Sequence, residues 1–271
     1  MLLGVDIGGT KTLIGVLDRS GHTIARRKFP TPKSYNQFLD DLAAEIAKLS
    51  SEKPEAAAVA VPGRLDRKNG VAITFGNLDW KNVSIVSDIS GKIGCDVYIE
   101  NDANLAALAE ASALKNKESR TLYLTISTGI GSGVVQSGRL DEGLIDSEAG
   151  SMLLPFEGKL LPWEHFASGS AIVRRYGKIA ADIDDPEVWK KISDDFAIGI
   201  VELCAVVEPD TVVIGGGVGS HFDKFGSFLK ERLNAMLPPM IKQPVVLAAV
   251  HAEEATFNGC IELLRQKELL K

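Results

Sequence analysis

One aspartate, a pair of glycines, a threonine and a lysine stand together near the start of the chain, inside Leu3 to Leu17, LGVDIGGTKTLIGVL. Apolar β-formers flank them on both sides, so the stretch reads as two strands joined by a tight turn at Gly8 and Gly9. Glycine lets backbone N–H groups approach a ligand with no Cβ in the way. Thr10 then adds a hydroxyl and Lys11 a cation. That set of groups suits phosphate oxygens, and Asp6 could hold a divalent cation beside them. An ordinary hairpin turn with a solvated lysine is the competing reading.

A second stretch of the same kind, Leu122 to Val135, LYLTISTGIGSGVV, places Thr128, Gly129, Gly131 and Gly133 between two apolar arms. Two such clasps, separated by about half the chain, form a weak repeat argued from pattern and not from identity. It suggests two βββα-type halves facing one another with a nucleotide's phosphates between the turns. Neither loop has the spacing of a Walker motif or of a strand-to-helix dinucleotide fingerprint.

Val97 to Glu110, VYIENDANLAALAE, carries a different chemistry. A strand runs directly into a helix, with Asn101 and Asp102 at the junction. Asp102 could simply cap the helix. It could instead accept a proton from a substrate hydroxyl that Asn101 orients, as phosphoryl transfer to an alcohol requires.

The elements that must position these groups follow from pattern. Thr23 to Lys28 reads as a third strand, with Pro30 to Pro32 breaking it, and a capping box at Ser34 and Gln37 opens an amphipathic helix over 35–49. Ala56 to Val61 is an unbroken apolar strand, and Pro62-Gly63 ends it where an open α/β sheet exposes ligands. Asn77 to Trp80 reads as a loop at the same cleft, with Trp80 as its buried anchor. Helices are expected over 171–181, 187–207, 222–235 and 255–269, and strands over 211–214 and 245–249. The helix beginning at Asp102 should reach Leu114.

With 271 residues, 45% hydrophobic and 24% charged, the chain has the length of about two domains and the composition of a soluble α/β enzyme. A net charge of −6 gives no electrostatic reason to expect a nucleic acid or an anionic membrane as partner. No apolar run approaches a membrane span, and Asp6 interrupts the region a signal peptide would need, so a cytoplasmic location is expected. Three scattered cysteines argue against a disulfide framework or a thiolate metal site.

Taken together, Asp6 to Lys11, Pro62-Gly63, Asn77-Leu78-x-Trp80, Glu100 to Asn104, Ser127 to Gly133, Glu148-Ala149-Gly150, Glu164 with Ala167 to Ala171, and Val213 to Val218 resemble the ROK family of bacterial sugar kinases and repressors. The resemblance spans nearly the whole chain. It implies an α/β, actin-like ATPase (ribonuclease H-like) fold with two domains around a central cleft. Those domains would be residues 1–112, with the helix of 255–271 packing back on them, and residues 113–254.

It also implies ATP and Mg²⁺ held by Asp6, Gly8, Gly9, Thr10, Lys11, Thr128, Gly129 and Gly131, with Gly215, Gly216 and Gly217 beneath the adenosine and Asp6 nearest the metal. Asp102 would be the base. Gly63, Asn77, Asn101, Glu148 and Glu164 would contact the sugar. Surface acids remain the plain alternative for Glu148 and Glu164, and a simple strand-to-helix connection for Gly215 to Gly217.

One departure concerns zinc. Many relatives have a His after Glu-x-Gly and a downstream cysteine cluster. Here Ser151 takes the His position and Met152 to Trp163 contains no cysteine, so zinc is not expected and a folded-back apolar loop should replace it. The function implied is phosphorylation of glucose or a close relative, most simply at O6. Mannose, fructose, N-acetylglucosamine or N-acetylmannosamine as acceptor stays open, as do polyphosphate as donor and a homodimer. A repressor would need a DNA-binding module before the first strand, and a non-catalytic sugar binder would not need Asp102.

Overall fold

The computed structural model describes residues 1–114, 119–251 and 254–270. The chain divides into two units, Met1–Ala109 with Thr256–Lys271, and Glu110–Ala255.

The apolar opening stretch folds as an antiparallel hairpin of β1 (Leu2–Ile7) and β2 (Lys11–Leu17), with Ile7 opposite Thr12 across the turn. β3 (Thr23–Pro30) pairs beside it and runs past its expected end at Lys28 into the first residue of the expected Pro30–Pro32 break. Proline is tolerated there because β3 is the edge strand. Ser34 then caps α1 (Tyr35–Leu49), whose Phe38, Leu39, Leu42 and Ile46 are buried. Every residue of β4 (Ala56–Val61) is buried, as expected of a strand covered on both faces.

Residues 65–83 form a small antiparallel sheet of β5 (Leu65–Asp66), β6 (Val71–Phe75) and β7 (Leu78–Val83), followed by α2 (Ile85–Ile93). The expected loop at Leu78 to Trp80 is therefore the start of a strand, with Asn77 in the turn before it. Leu78 and Trp80 point inward while Asp79 and Lys81 are exposed. Trp80 is anchored as expected, its indole N–H donating to the Lys33 carbonyl at 2.7 Å. β8 (Asp96–Asn101) leads directly into α3 (Asp102–Ala113), which stops one residue short of Leu114. The main sheet has the order β3-β2-β1-β4-β8, and its last three strands run parallel.

The second unit repeats the scheme. β9 (Arg120–Ile126), β10 (Ile130–Gln136) and β11 (Arg139–Leu140) form the antiparallel part of its sheet. A separate hairpin of β12 (Leu153–Phe156) and β13 (Lys159–Pro162) follows. Then come α4 (Trp163–Ala167), α5 (Gly169–Tyr176) and α6 (Pro186–Val207). α5 is shorter than the expected helix to Ala181 because Gly177 takes a left-handed conformation and ends it.

β14 (Thr211–Gly215), α7 (Gly216–Gly219), α8 (Phe222–Met236) and β15 (Val245–Ala248) complete the order β11-β10-β9-β14-β15. α6 buries Ile192, Phe196, Ile200, Leu203 and Val207 along one stripe. Its Trp189 ring stacks on Phe225 of α8 at 5.5 Å.

α9 (Ala255–Gln266) returns the chain to the first unit and ends three residues before the expected Leu269. Phe257 fills the space that Gly4 and Gly15 leave on β1 and β2, where a methyl group at Gly15 would lie 2.1 Å from the ring.

Candidate active site

In the first unit the parallel strands β1, β4 and β8 end at one edge, so the residues after them are neighbours. Asp6, the Gly8–Lys11 turn, Pro62-Gly63 and Asn101-Asp102 all belong to that edge. Open α/β sheets expose ligands at this end of their strands. The turn is closed by the Gly8 N–H donating to the Lys11 carbonyl at 3.0 Å. Thr31 braces it from β3's end, its hydroxyl donating to the Gly8 carbonyl at 2.8 Å and its N–H to the Thr10 carbonyl at 3.0 Å.

Burial pushes the Asp6 carboxyl up to about 6, against the opposing pull of Lys28. A buried carboxylate raised in this way suits a hard cation, whose charge would offset the cost of burial.

Gly63 is the tightest point of the edge. Its φ is +153°, and a Cβ there would lie 2.1 Å from the Thr74 carbonyl oxygen, so only glycine fits. The small sheet thus presses against the strand end. It also delivers Asn77, whose Cβ would stand 3.1 Å from a Cβ on Gly9. The Gly8–Lys11 turn and Asn77 are packed together.

Asn101 is the organising side chain at the third strand end. Its amide donates to the Gly63 carbonyl at 3.0 Å, while its Oδ1 accepts from the N–H groups of Ala103 at 2.9 Å and Asn104 at 3.3 Å. Those acceptances make Asn101 the cap of α3. Asp102 is the first residue of the helix, and its Oδ1 also accepts from the Ala103 N–H, at 2.9 Å.

Beneath this junction lies Glu100, 3% exposed in a strand that is otherwise mostly apolar. It is held by Arg67 and Asn104. Glu100 and Asn104 were legible as motif members but not as a network. Arg67 and Thr31 carried no recognisable signal beyond the rigid Pro30-Thr31-Pro32 segment.

The second unit builds its edge from β9 and β14, which run parallel and end at Ile126 and Gly215. The Ser127–Gly129 turn follows the first and the Gly215–Gly217 turn the second. Gly216, at φ +81°, packs on the end of β9, where a Cβ would come 2.6 Å from the Ile126 carbonyl oxygen. The two turns are thereby adjacent. Gly215 to Gly217 is a strand-to-helix connection, leading from β14 directly into α7.

Glu164 touches the same turn, its Oε2 accepting from the Ile130 N–H at 3.2 Å and lying 2.6 Å from where a Gly129 Cβ would stand. Glu148 is exposed and begins the short 3₁₀ turn Ala149–Ser151.

Glu164 owes its place to the residue before it. Trp163 is fully buried, its indole N–H donates to the Asp195 carbonyl at 3.1 Å, and its ring occupies the space above Gly199 of α6. The expected folded-back loop of 152–163 is the β12–β13 hairpin, turned by Glu157 and Gly158 at φ +48° and +76°. Only part of its apolar group packs inward. Leu154 is buried and Phe156 stacks on Phe166 at 4.2 Å, but Leu153 and Leu160, on the opposite face, are 64% and 67% exposed.

Among the described residues no group of three or more His, Cys, Asp or Glu could hold a metal ion, and Cys95, Cys204 and Cys260 are buried apart from one another in sequence. No described helix is long and apolar enough to cross a membrane.

Two units that each bring a glycine-rich hairpin to the edge of a mixed sheet define an α/β protein of the actin-like ATPase type. The profile of the ROK family matches residues 2–267, and the chain belongs to that family. It is 25% identical to a glucokinase of Streptomyces coelicolor over 99% of this chain and 98% of that one. It is 28% identical to an N-acetyl-D-glucosamine kinase of Haemophilus influenzae over 98% of this chain and all of that one. Among solved structures it resembles a ROK family glucokinase from Streptomyces griseus in complex with glucose and AMPPNP, with a TM-score of 0.80, 25% identity, and 98% and 99% of the two chains covered.

Proposed function

We propose that this sugar kinase transfers the terminal phosphoryl group of ATP to O6 of glucose or a close relative, with the Asp102 carboxylate accepting the hydroxyl proton. The observation that carries the reading is the division of labour at the start of α3. Asn101 accepts the N–H groups of both Ala103 and Asn104 and binds the Gly63 carbonyl, so the first turn of α3 is capped without depending on the Asp102 carboxylate, which shares the Ala103 N–H.

A sugar hydroxyl is a poor nucleophile, and phosphoryl transfer through a loose transition state gains most from positioning and charge neutralisation. Asn101, Gly63 and Asn77 would orient the sugar, with Glu148 and Glu164 accepting hydrogen bonds from its other hydroxyls. Gly8 to Lys11, Thr128, Gly129 and Gly131 would line the phosphates, and Gly215 to Gly217 would lie beneath the adenosine. Mg²⁺ would screen phosphate charge, and Asp6 would hold it directly or through water. Relatives named for glucose and for N-acetyl-D-glucosamine support a hexose acceptor.

The test is an ADP-release assay with glucose, mannose, fructose, N-acetylglucosamine and N-acetylmannosamine. Sugar-dependent ADP formation, fastest with glucose, is expected. Equal and slow ADP release with and without every sugar would contradict the proposal.

A further inference from the structure

Arg67 sits in the turn between β5 and β6, far in sequence from Asn101 and Asp102. Its guanidinium nonetheless grips Glu100 with two bonds, Nε to Oε2 at 2.8 Å and a terminal nitrogen to Oε1 at 2.5 Å. The carboxylate is 4% exposed, and Arg67 is the cation paired with it. Oε1 also accepts from the Asn101 backbone N–H at 2.7 Å and from the Asn104 side-chain amide at 2.9 Å.

Every donor on Glu100 other than Arg67 belongs to the junction that carries Asn101 and Asp102. Among the described residues β8 is the outer strand of its sheet, and no further strand fixes that junction from the far side. The turn that presents Arg67 is itself fixed, since Asp66 accepts from the backbone N–H of Asn69 at 3.1 Å and from its side-chain amide at 2.7 Å.

We infer that Arg67 is a positioning residue for phosphoryl transfer, acting through the buried Glu100 carboxylate to set Asn101 and Asp102 against the sugar. This rests on the function proposed above. The small sheet then has one task carried by three residues: it presses on Gly63, presents Asn77 and aims the Asp102 junction through Arg67. A bidentate planar fork is what the geometry uses, and lysine cannot reproduce it.

A buried ion pair can also be a plain stabiliser, so the test must separate stability from aim. Replacing both partners of such a pair by apolar residues commonly restores stability without restoring the hydrogen bonds. Arg67→Lys should fold and lose about 10–100-fold in kcat, the size expected of a misplacement near 1 Å, with the ATP KM unchanged. Arg67→Ala should regain part of its kcat when ethylguanidinium is added below denaturing concentrations. The double variant Arg67→Met/Glu100→Leu should recover thermal stability over Arg67→Ala and still lack the kcat.

A folded Arg67→Lys with parental kcat, or a double variant whose kcat returns with its stability, would overturn the assignment. The parent assayed alongside distinguishes the two levels. Sugar-dependent ADP release in the parent together with those results removes the role of Arg67 alone, whereas a parent without it removes the functional reading and this role with it.

Discussion

The two glycine-rich hairpins share a strand plan and differ in what holds them. Around β1 and β2 the support is polar: Thr31 ties the turn, Asn101 ties Gly63, and Arg67 ties Glu100. Around β9 and β10 it is largely apolar and backbone. The Gly169 N–H donates to the Ser127 carbonyl at 2.6 Å, Gly216 rests on the end of β9, and Trp163 sets Glu164 by packing. The first edge carries Asp6, Asn101 and Asp102 at or beside its strand ends, whereas the second has Ile126 and Gly215 there. The contrast bears on the proposed base, since Asp102 stands on the polar edge and directional bonds fix a reacting group more tightly than dispersion contacts do.

The comparison can be broken at its apolar side. Trp163→Ala should cost about 3–5 kcal/mol of stability, the range for emptying a fully buried aromatic site, and should weaken sugar binding by releasing Glu164. Denaturant unfolding and a sugar titration measure the two effects. A loss under about 1 kcal/mol would show that the second edge is not held by packing.

Gly63→Ala attacks the polar side. With a carbonyl oxygen 2.1 Å from the new methyl group, the strand end and small sheet must separate. An expected loss of about 1–3 kcal/mol should come with a raised sugar KM and a nearly unchanged ATP KM. Equal changes in both KM values would mean that Gly63 supports the fold alone.

Glu164→Gln sharpens the contrast, since it keeps shape and an acceptor for the Ile130 N–H. A sugar KM raised about 5–10-fold with kcat within a few-fold is expected if the charge serves the sugar hydroxyls. Smallest of all should be the effect of zinc removal. Chelation followed by restoration of Mg²⁺ should leave activity intact, while loss of near-stoichiometric zinc together with activity would contradict the packing account of residues 152–163.

Much of the fold was legible because local signals and tertiary needs agree. α1 spans the expected 35–49 and β4 the expected 56–61, since a cap and an amphipathic stripe, or a wholly apolar run, leave few alternatives. Where one local cue misled, a partner or a glycine decided. β7 alternates Leu78 in, Asp79 out, Trp80 in, yet its polar residues read as a loop until β6 pairs with it. The apolar Ile179-Ala180-Ala181 extended the expected helix past Gly177, whose left-handed turn ends it. Leu153 and Leu160 counted as core by residue type, but the period of two turns both outward.

At the site, residues within the motifs were readable and their supports were not. Asn101 and Asp102 adjoin in sequence, whereas Arg67 reaches Glu100 across 33 positions. Only the fold supplies that contact.

The central claim is that Asp102 accepts the proton and Asn101 does the capping. Asp102→Asn keeps size and hydrogen bonding but removes the proton acceptor, so the measurement is its kcat beside the dissociation constants for sugar and ATP. A fall of at least ~10²-fold in kcat with both affinities within a few-fold of the parent is the predicted result. Turnover within a few-fold of the parent would contradict it and return Asp102 to a helix-terminal role.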